Sequence, residues 1–146
     1  MLKSQLLHPQ ILGALARAGH GSKVLISDGN YPHWTKHRPN SEVVYLNLSP
    51  GQMLVTDILK ALLTAIPVEK AEVMDPAGAL PQDPPIWNEF RQILHAAGAD
   101  LELDKVGRFD FYKFAGTEDV CLTIASGDQR IYANLLLTIG VVKPPK

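Results

Sequence analysis

His20 stands between two glycines in Gly19-His20-Gly21-Ser22-Lys23, and Asp28 closes the apolar run Lys23-Val24-Leu25-Ile26-Ser27-Asp28. An imidazole with so little local shielding is free to give and take protons. A carboxylate ending a buried strand faces the sheet edge where ligands collect in α/β folds. The loop preceding the strand is expected to carry His20 toward that same edge, setting an acid or base beside an acceptor for ligand hydroxyls. Each residue has a plain alternative: a polar turn histidine, and the aspartate of an ordinary Asp-Gly turn.

Other chemistries are poorly served. A phosphate loop follows a strand and opens a helix, whereas the glycines around His20 follow a helical segment and open a strand. His33 and His37, four apart beside Trp34, would need a helix to share a metal ion, and Pro32 and Pro39 interrupt it. Tyr31 or Trp34 can instead stack on the apolar face of a ligand ring. His8 and His95 read as surface or helix residues without partners. Cys121, the one cysteine, lies within the apolar run Val120 to Ala125 and reads as a buried inert thiol; no disulfide scaffold can form. Neither a serine or cysteine nucleophile motif nor paired Cys/His spacing occurs, so no metal and no cofactor are expected. What remains suits proton transfer, such as hemiacetal opening, in which the anomeric hydroxyl loses a proton and the ring oxygen gains one.

The elements that must position these groups follow from periodicity. Ile11, Leu12, Leu15 and Ala16 recur at helical spacing after Pro9, with Gly19 as a candidate left-handed C′ residue. Residues 23–28 read as a buried strand, 29–40 as a functional loop, and 43–46 as a second strand. Ser49-Pro50-Gly51-Gln52 has the pattern of a capping box ahead of the helix carrying Val55, Ile58, Leu59, Leu62 and Ile66. Asp57 falls away from that apolar face, so solvent exposure is its default. Residues 71–74 form a strand; Asp83-Pro84 starts a helix with Ile86, Phe90, Ile93 and Leu94 on one face and Gly98 past its end. Residues 101–106 alternate as a half-exposed strand, 109–114 make a helical turn, and 120–125 are a buried strand. Leu135 to Leu137 are apolar, but periodicity leaves their type open. Strands alternating with helices imply a single three-layer α/β/α domain over residues 1–146 with a mixed, largely parallel sheet.

Composition narrows the partners. Of 146 residues, 46% are hydrophobic and 20% charged, with a formal net charge of −1. That balance excludes a disordered chain and lacks the basic footprint of a nucleic-acid binder. No apolar stretch approaches the roughly 20 residues of a membrane span, and the amino terminus lacks a signal-peptide core. A cytoplasmic protein with a small neutral ligand is expected, with neither nucleic acid nor membrane as partner.

The run Ser126-Gly127-Asp128-Gln129-Arg130-Ile131-Tyr132-Ala133-Asn134, followed by Gly140-Val141, resembles the closing signature of the L-fucose mutarotase and D-ribose pyranase family. Gly19-His20 and Ser27-Asp28 are similar to two further family motifs, so the resemblance spans nearly the whole chain. It implies that His20 is the proton donor and Asp28 a sugar-hydroxyl ligand. Tyr132, Ala133 and Asn134 would contact the sugar through side chains and backbone, with Tyr132 a second candidate acid–base group. Gly107-Arg108-Phe109-Asp110-Phe111-Tyr112 resembles the fucose branch, with Arg108 at a substrate-contacting position; Asp57 also matches a position of that branch. The loop from Gly29 to Trp34 departs from the family pattern. By resemblance the function is interconversion of the cyclic forms of a free monosaccharide such as L-fucose, an isomerase activity. A D-ribose pyranase, or a non-catalytic sugar-binding accessory module of an uptake system, is the alternative. The resemblance also implies a homo-oligomeric ring, a decamer among its forms, with sites near interfaces.

Overall fold

The structure is a computed structural model describing residues 1–146. Its elements in chain order are α1 (Pro9–Arg17), β1 (Lys23–Ser27), β2 (Glu42–Tyr45), α2 (Val55–Leu63), β3 (Val68–Met74), α3 (Ile86–Ala96), β4 (Leu103–Val106), α4 (Arg108–Ala115), β5 (Val120–Ala125) and β6 (Leu135–Ile139). The six strands form one sheet in the order β2-β5-β1-β6-β3-β4. All pairings are parallel except those of β6, which runs against both β1 and β3.

Alternation along the strands divides the core between the two faces. Val24 and Ile26 of β1, with Leu135 and Leu137 of β6, join Ile11 of α1, Leu59 and Leu62 of α2, and Trp87, Phe90 and Leu94 of α3. Leu25 and Leu136 point the other way, onto Phe111 and Ala115 of α4 and onto Tyr31 from the loop after β1. The sheet is thus sandwiched between three helices and one, the expected mixed α/β architecture.

Two expected helix boundaries are corrected. Gly19 is not a left-handed cap: α1 ends at Ala18 in extended backbone, and the positive φ falls on Gly21, at 84°, in the turn that enters β1. Nor do Ser49 and Gln52 cap α2, which begins later, after Leu54. They pair with each other in an isolated bridge, and the Val55 N–H is satisfied by the carboxylate of Asp128, 73 residues away, at 3.0 Å. A tertiary partner there does the work expected of a local one.

β6 has the most consequence for function. Because it is reversed, its first residue, Leu135, lies opposite Ile26 near the end of β1 and Val73 near the end of β3. The segment entering β6 therefore joins the loops leaving β1, β3 and β4 at one edge. Its last residue, Ile139, lies opposite Val68 at the start of β3, marking the other edge.

Candidate active site

Where those loops meet, a cavity of about 250 Å³ opens, lined by Asp28, Asn30, Tyr31, Pro32, Met74, Arg108, Tyr112, Ile131, Tyr132 and Asn134. It falls just below the usual size of ligand pockets, roughly 300–1,000 Å³, and suits one small molecule. Four residues singled out from the sequence, Asp28, Arg108, Tyr132 and Asn134, come together in its wall although they span more than 100 positions of the chain.

Asp28 is 4% exposed. Its N–H donates to Asn134 Oδ1 at 2.8 Å, and its Oδ1 accepts the Asn30 N–H at 3.0 Å. Burial pushes its carboxyl above the usual aspartate range; backbone N–H groups of Asn30, Ala133 and Tyr31 oppose the rise, and the charge of Asp128 adds to it. Tyr31 closes one wall, its hydroxyl committed to the Lys36 carbonyl at 2.6 Å. Burial drives this phenol well above its ordinary range. Behind it, Ser27 Oγ and His33 Nδ1 lie 2.7 Å apart, and desolvation lowers the His33 imidazole, favouring its neutral form.

The opposite wall is strained backbone. Tyr132 has φ 56°, a left-handed conformation that costs a non-glycine residue of order 1–3 kcal/mol and persists only where its surroundings enforce it. Two anchors do so. Trp87, fully buried on α3, donates its indole N–H to the Tyr132 carbonyl at 3.0 Å. Two residues before Tyr132, Arg130 grips the fully buried Asp128 with Nε to Oδ1 at 2.9 Å and a second guanidinium nitrogen to Oδ2 at 2.7 Å. Arg130 also reaches Glu89 at 2.7 Å and Thr56 at 3.2 Å, tying the segment to α3 and α2. Burial would raise the Asp128 carboxyl, but Arg130 and the N–H groups of Arg130 and Val55 hold it below the ordinary range. Gly127 must be glycine, since a Cβ there would collide with the carbonyl of Gln52.

Arg108 opens α4 directly after Gly107; its Nε donates to the Tyr112 hydroxyl at 3.1 Å, and its guanidinium lies 5.8 Å from that ring's centre. The two form one rim of the cavity. Ala133 is buried, and its backbone N–H serves Asp28.

His20 is not in this cavity. It precedes β1 whereas Asp28 follows it, so the strand's five residues alone set the two about 15 Å apart. The expectation that the loop brings His20 to the edge of Asp28 is therefore corrected: residues flanking a strand lie at opposite ends of it. His20 is exposed and meets Glu69 instead, Nε2 lying 3.0 Å from each carboxylate oxygen. Asp57 is exposed on the first turn of α2, also outside the cavity. Trp34, 76% exposed, lines no part of it either, whereas Tyr31 does. Met74, Pro32, Tyr112 and Ile131 were not foreseen. Met74 ends a strand, and Tyr112 lies one helical turn after Arg108; either placement was a usable signal. No group of three or more His, Cys, Asp or Glu side chains is placed to hold a metal ion.

Residues 1–142 match the model of the RbsD / FucU transport protein family. The chain belongs to that family. As an RbsD / FucU member it is 31% identical to the fucose mutarotase of Bos taurus, over 95% of this chain and 92% of that protein. Among solved structures, FucU from Bifidobacterium longum superposes with a TM-score of 0.81 at 30% identity, covering 96% of this chain and all of that one. The fucose mutarotase from Streptococcus pneumoniae, solved in complex with L-fucose, gives 0.79 at 26% identity, covering 93% and 94%. The resemblance to the fucose branch is borne out, and so is the fold class read from the alternation of strands and helices.

Proposed function

We propose that this RbsD / FucU member is a sugar mutarotase, an isomerase that interconverts the ring forms of a free monosaccharide, with L-fucose the first candidate. The observation that carries the reading is the convergence of Asp28, Arg108, Tyr132 and Asn134 on one cavity of small-ligand size, in a chain similar to fucose mutarotases over nearly its whole length. Asp28 accepts sugar hydroxyls, Arg108 and Asn134 fix the ring's orientation, and the Tyr132-Ala133 backbone, held by Trp87, supplies further polar contacts. Ring opening needs one proton delivered to the ring oxygen and one removed from the anomeric hydroxyl. Tyr132 stands in the cavity for one of these transfers.

We assign His20 the other, as proton donor. Held at the far end of β1, it can act only in the cavity of a neighbouring copy, which supports a homo-oligomeric ring in which one protomer's His20 edge faces the next protomer's carboxyl edge. Asp57, likewise outside the cavity, would act across an interface too. Residues 1–146 serve as one domain in this assembly. No helix is long and apolar enough to cross a membrane, and the unpaired Cys121 thiol fits the reducing cytoplasm.

Exchange NMR on a panel of free sugars tests the reading. Cross-peaks between L-fucose anomers that grow with protein concentration are expected. Binding of L-fucose with exchange no faster than in buffer would instead support a sugar-binding module of an uptake system.

A further inference from the structure

The carboxyl edge of the sheet carries a second concavity. β1 stands between β5 and β6 in the strand order, and the cavity around Asp28 lies on its β6 side, where β1 and β3 end and β6 begins. On the other side, over the ends of β2, β5 and β1, a cleft of about 370 Å³ is lined by Asn30, Asn47, Ser49 and Gln129 together with the backbone of Gly29 and Gly127. Its floor is fixed by main-chain bonds: Gly29 N–H donates to the Asp128 carbonyl at 2.7 Å, Gly51 N–H to the Gly127 carbonyl at 2.7 Å, and Gly127 N–H to the Met53 carbonyl at 3.1 Å. A Cβ on Gly29 would stand 3.0 Å from the Asp128 carbonyl oxygen, a close approach that favours glycine. Asn30 lines both the cleft and the cavity.

The lining decides the ligand. Asn30, Asn47, Ser49 and Gln129 are exposed, and their side-chain amides and hydroxyl are spent on no partner in the chain. An amide offers two donors and an acceptor, and a hydroxyl offers both roles, which matches sugar hydroxyls that also donate and accept. Neither an aromatic ring nor a large aliphatic side chain lines the cleft, as a nucleobase or a lipid would need. Its one charged side chain, Asp128, is engaged by Arg130 and the Val55 N–H, so no free charge awaits a phosphate or a cation. We propose that this cleft is a second subsite, for a neutral sugar ring linked to the one in the cavity, so that the protein acts on reducing disaccharides as well as free monosaccharides. The inference rests on the mutarotase reading above for the first ring. The reducing unit opens as a free sugar does: the bond from C1 to the ring oxygen breaks and leaves its electron pair on that oxygen, which gains a proton, while the anomeric hydroxyl loses one and C1 becomes the aldehyde carbonyl. The glycosidic bond is untouched. A ring held only by solvent-facing hydrogen bonds binds weakly by itself, but tethered to a ring already seated it escapes a second cost of association.

The test uses the full chain and three reducing disaccharides in which galactose is joined to O2, O3 or O4 of L-fucose, each compared with L-fucose by titration and by exchange NMR. One linkage isomer is expected to bind about 10-fold tighter than L-fucose, to exchange its reducing-end anomers, and to shift the side-chain amide signals of Asn30, Asn47 and Gln129. Asn47→Trp, which fills the cleft, and Asn47→Leu, which removes the amide at similar size, should both reduce that preference while L-fucose exchange stays within about 2-fold of the parent. If no isomer binds tighter than L-fucose, or if the preference survives in Asn47→Trp, the inference is overturned. Shifts of the same amides by methyl β-D-galactoside alone, with no isomer preferred, would overturn it too, since the occupant would then be a separate sugar. Failure of the underlying reading looks different: the preferred isomer would still bind through the cleft, but neither it nor L-fucose would exchange anomers faster than in buffer.

Discussion

His20 and Asp28 flank the same strand and face opposite edges of the sheet: one meets Glu69 beside the start of β3, the other lines the cavity where β6 begins. If both serve one reaction, each site is built from two copies of the chain. His20→Ala is expected to lower the exchange rate about 10²- to 10⁴-fold, as loss of an acid–base group does, while sugar affinity is largely kept. Asp28→Asn should instead weaken binding. Co-refolding the two variants in equal amounts should restore activity, because about a quarter of randomly assembled sites join an intact His20 to an intact Asp28. Exchange NMR on the mixture checks this; a mixture as inactive as its parts would rule out the shared site.

Asp28 carries a second expectation, about stability. Its folded-state carboxyl is raised by burial, so the folded chain takes up that proton more readily than the unfolded chain. The stabilising effect is fully present below the unfolded pKa and is lost as pH rises through the folded one. At neutral pH the parent therefore keeps a charge that folding disfavours. Asp28→Asn retains an acceptor for the Asn30 N–H and removes that charge, so it should melt at a higher temperature than the parent at pH 7, with the gain shrinking toward pH 4. Calorimetry at both pH values decides it, and a variant less stable at pH 7 would contradict the account.

Much of this fold was legible from apolar periodicity. The strand at 120–125 was expected with its observed limits, and the helices around Ile58 and Phe90 follow from their spacing. The direction of β6 was not legible: its five residues are all buried, and a run buried on both faces has no period to read. That direction gathers Tyr132 and Asn134 beside Asp28, and only the family resemblance had placed them together. The error over His20 was of another kind, since alternate ends of a strand follow from its geometry alone. The Arg130–Asp128 clasp left no signal in the sequence because its other partners, Val55, Thr56 and Glu89, lie 41 to 74 residues away.

That Arg130–Asp128 clasp gives the third prediction. Arg130→Ala leaves the buried Asp128 carboxylate with backbone donors only, and breaking a buried pair in this way costs about 3–5 kcal/mol; the partial exposure of Arg130, 36%, places the expected loss at the lower end. The sign with pH follows from the lowered Asp128 carboxyl. Its contribution is present above the unfolded pKa and disappears as pH falls through the folded one. Urea unfolding should show the full deficit at pH 7 and a smaller one near pH 3. An equal deficit at both pH values would mean that Arg130 acts through packing rather than through its carboxylate partners.

The last prediction concerns the link between Trp87 and Tyr132. The indole N–H holds a carbonyl in a segment whose φ of 56° would relax without support, and the tyrosine side chain and the Ala133 N–H that serves Asp28 both take their positions from it. Trp87→Phe keeps an aromatic ring in the core but removes the donor and part of the volume. The lost hydrogen bond alone is worth about 1–3 kcal/mol when an acceptor is left buried and unpaired. If the segment is held as the geometry indicates, the loss should appear in function before it appears in folding: L-fucose affinity should fall about 10-fold, the equivalent of 1.4 kcal/mol, in a chain that still unfolds cooperatively. Tyr132→Phe then separates the backbone from the phenol. It leaves the Trp87 bond in place, so a rate loss of about 10²-fold or more at unchanged affinity would mark the hydroxyl as an acid–base group, whereas a modest loss of affinity alone would make it a positioning donor. Titration of each variant with L-fucose, alongside exchange NMR, distinguishes these outcomes, and parent-like affinity in Trp87→Phe would show that the strained turn stands without its indole support.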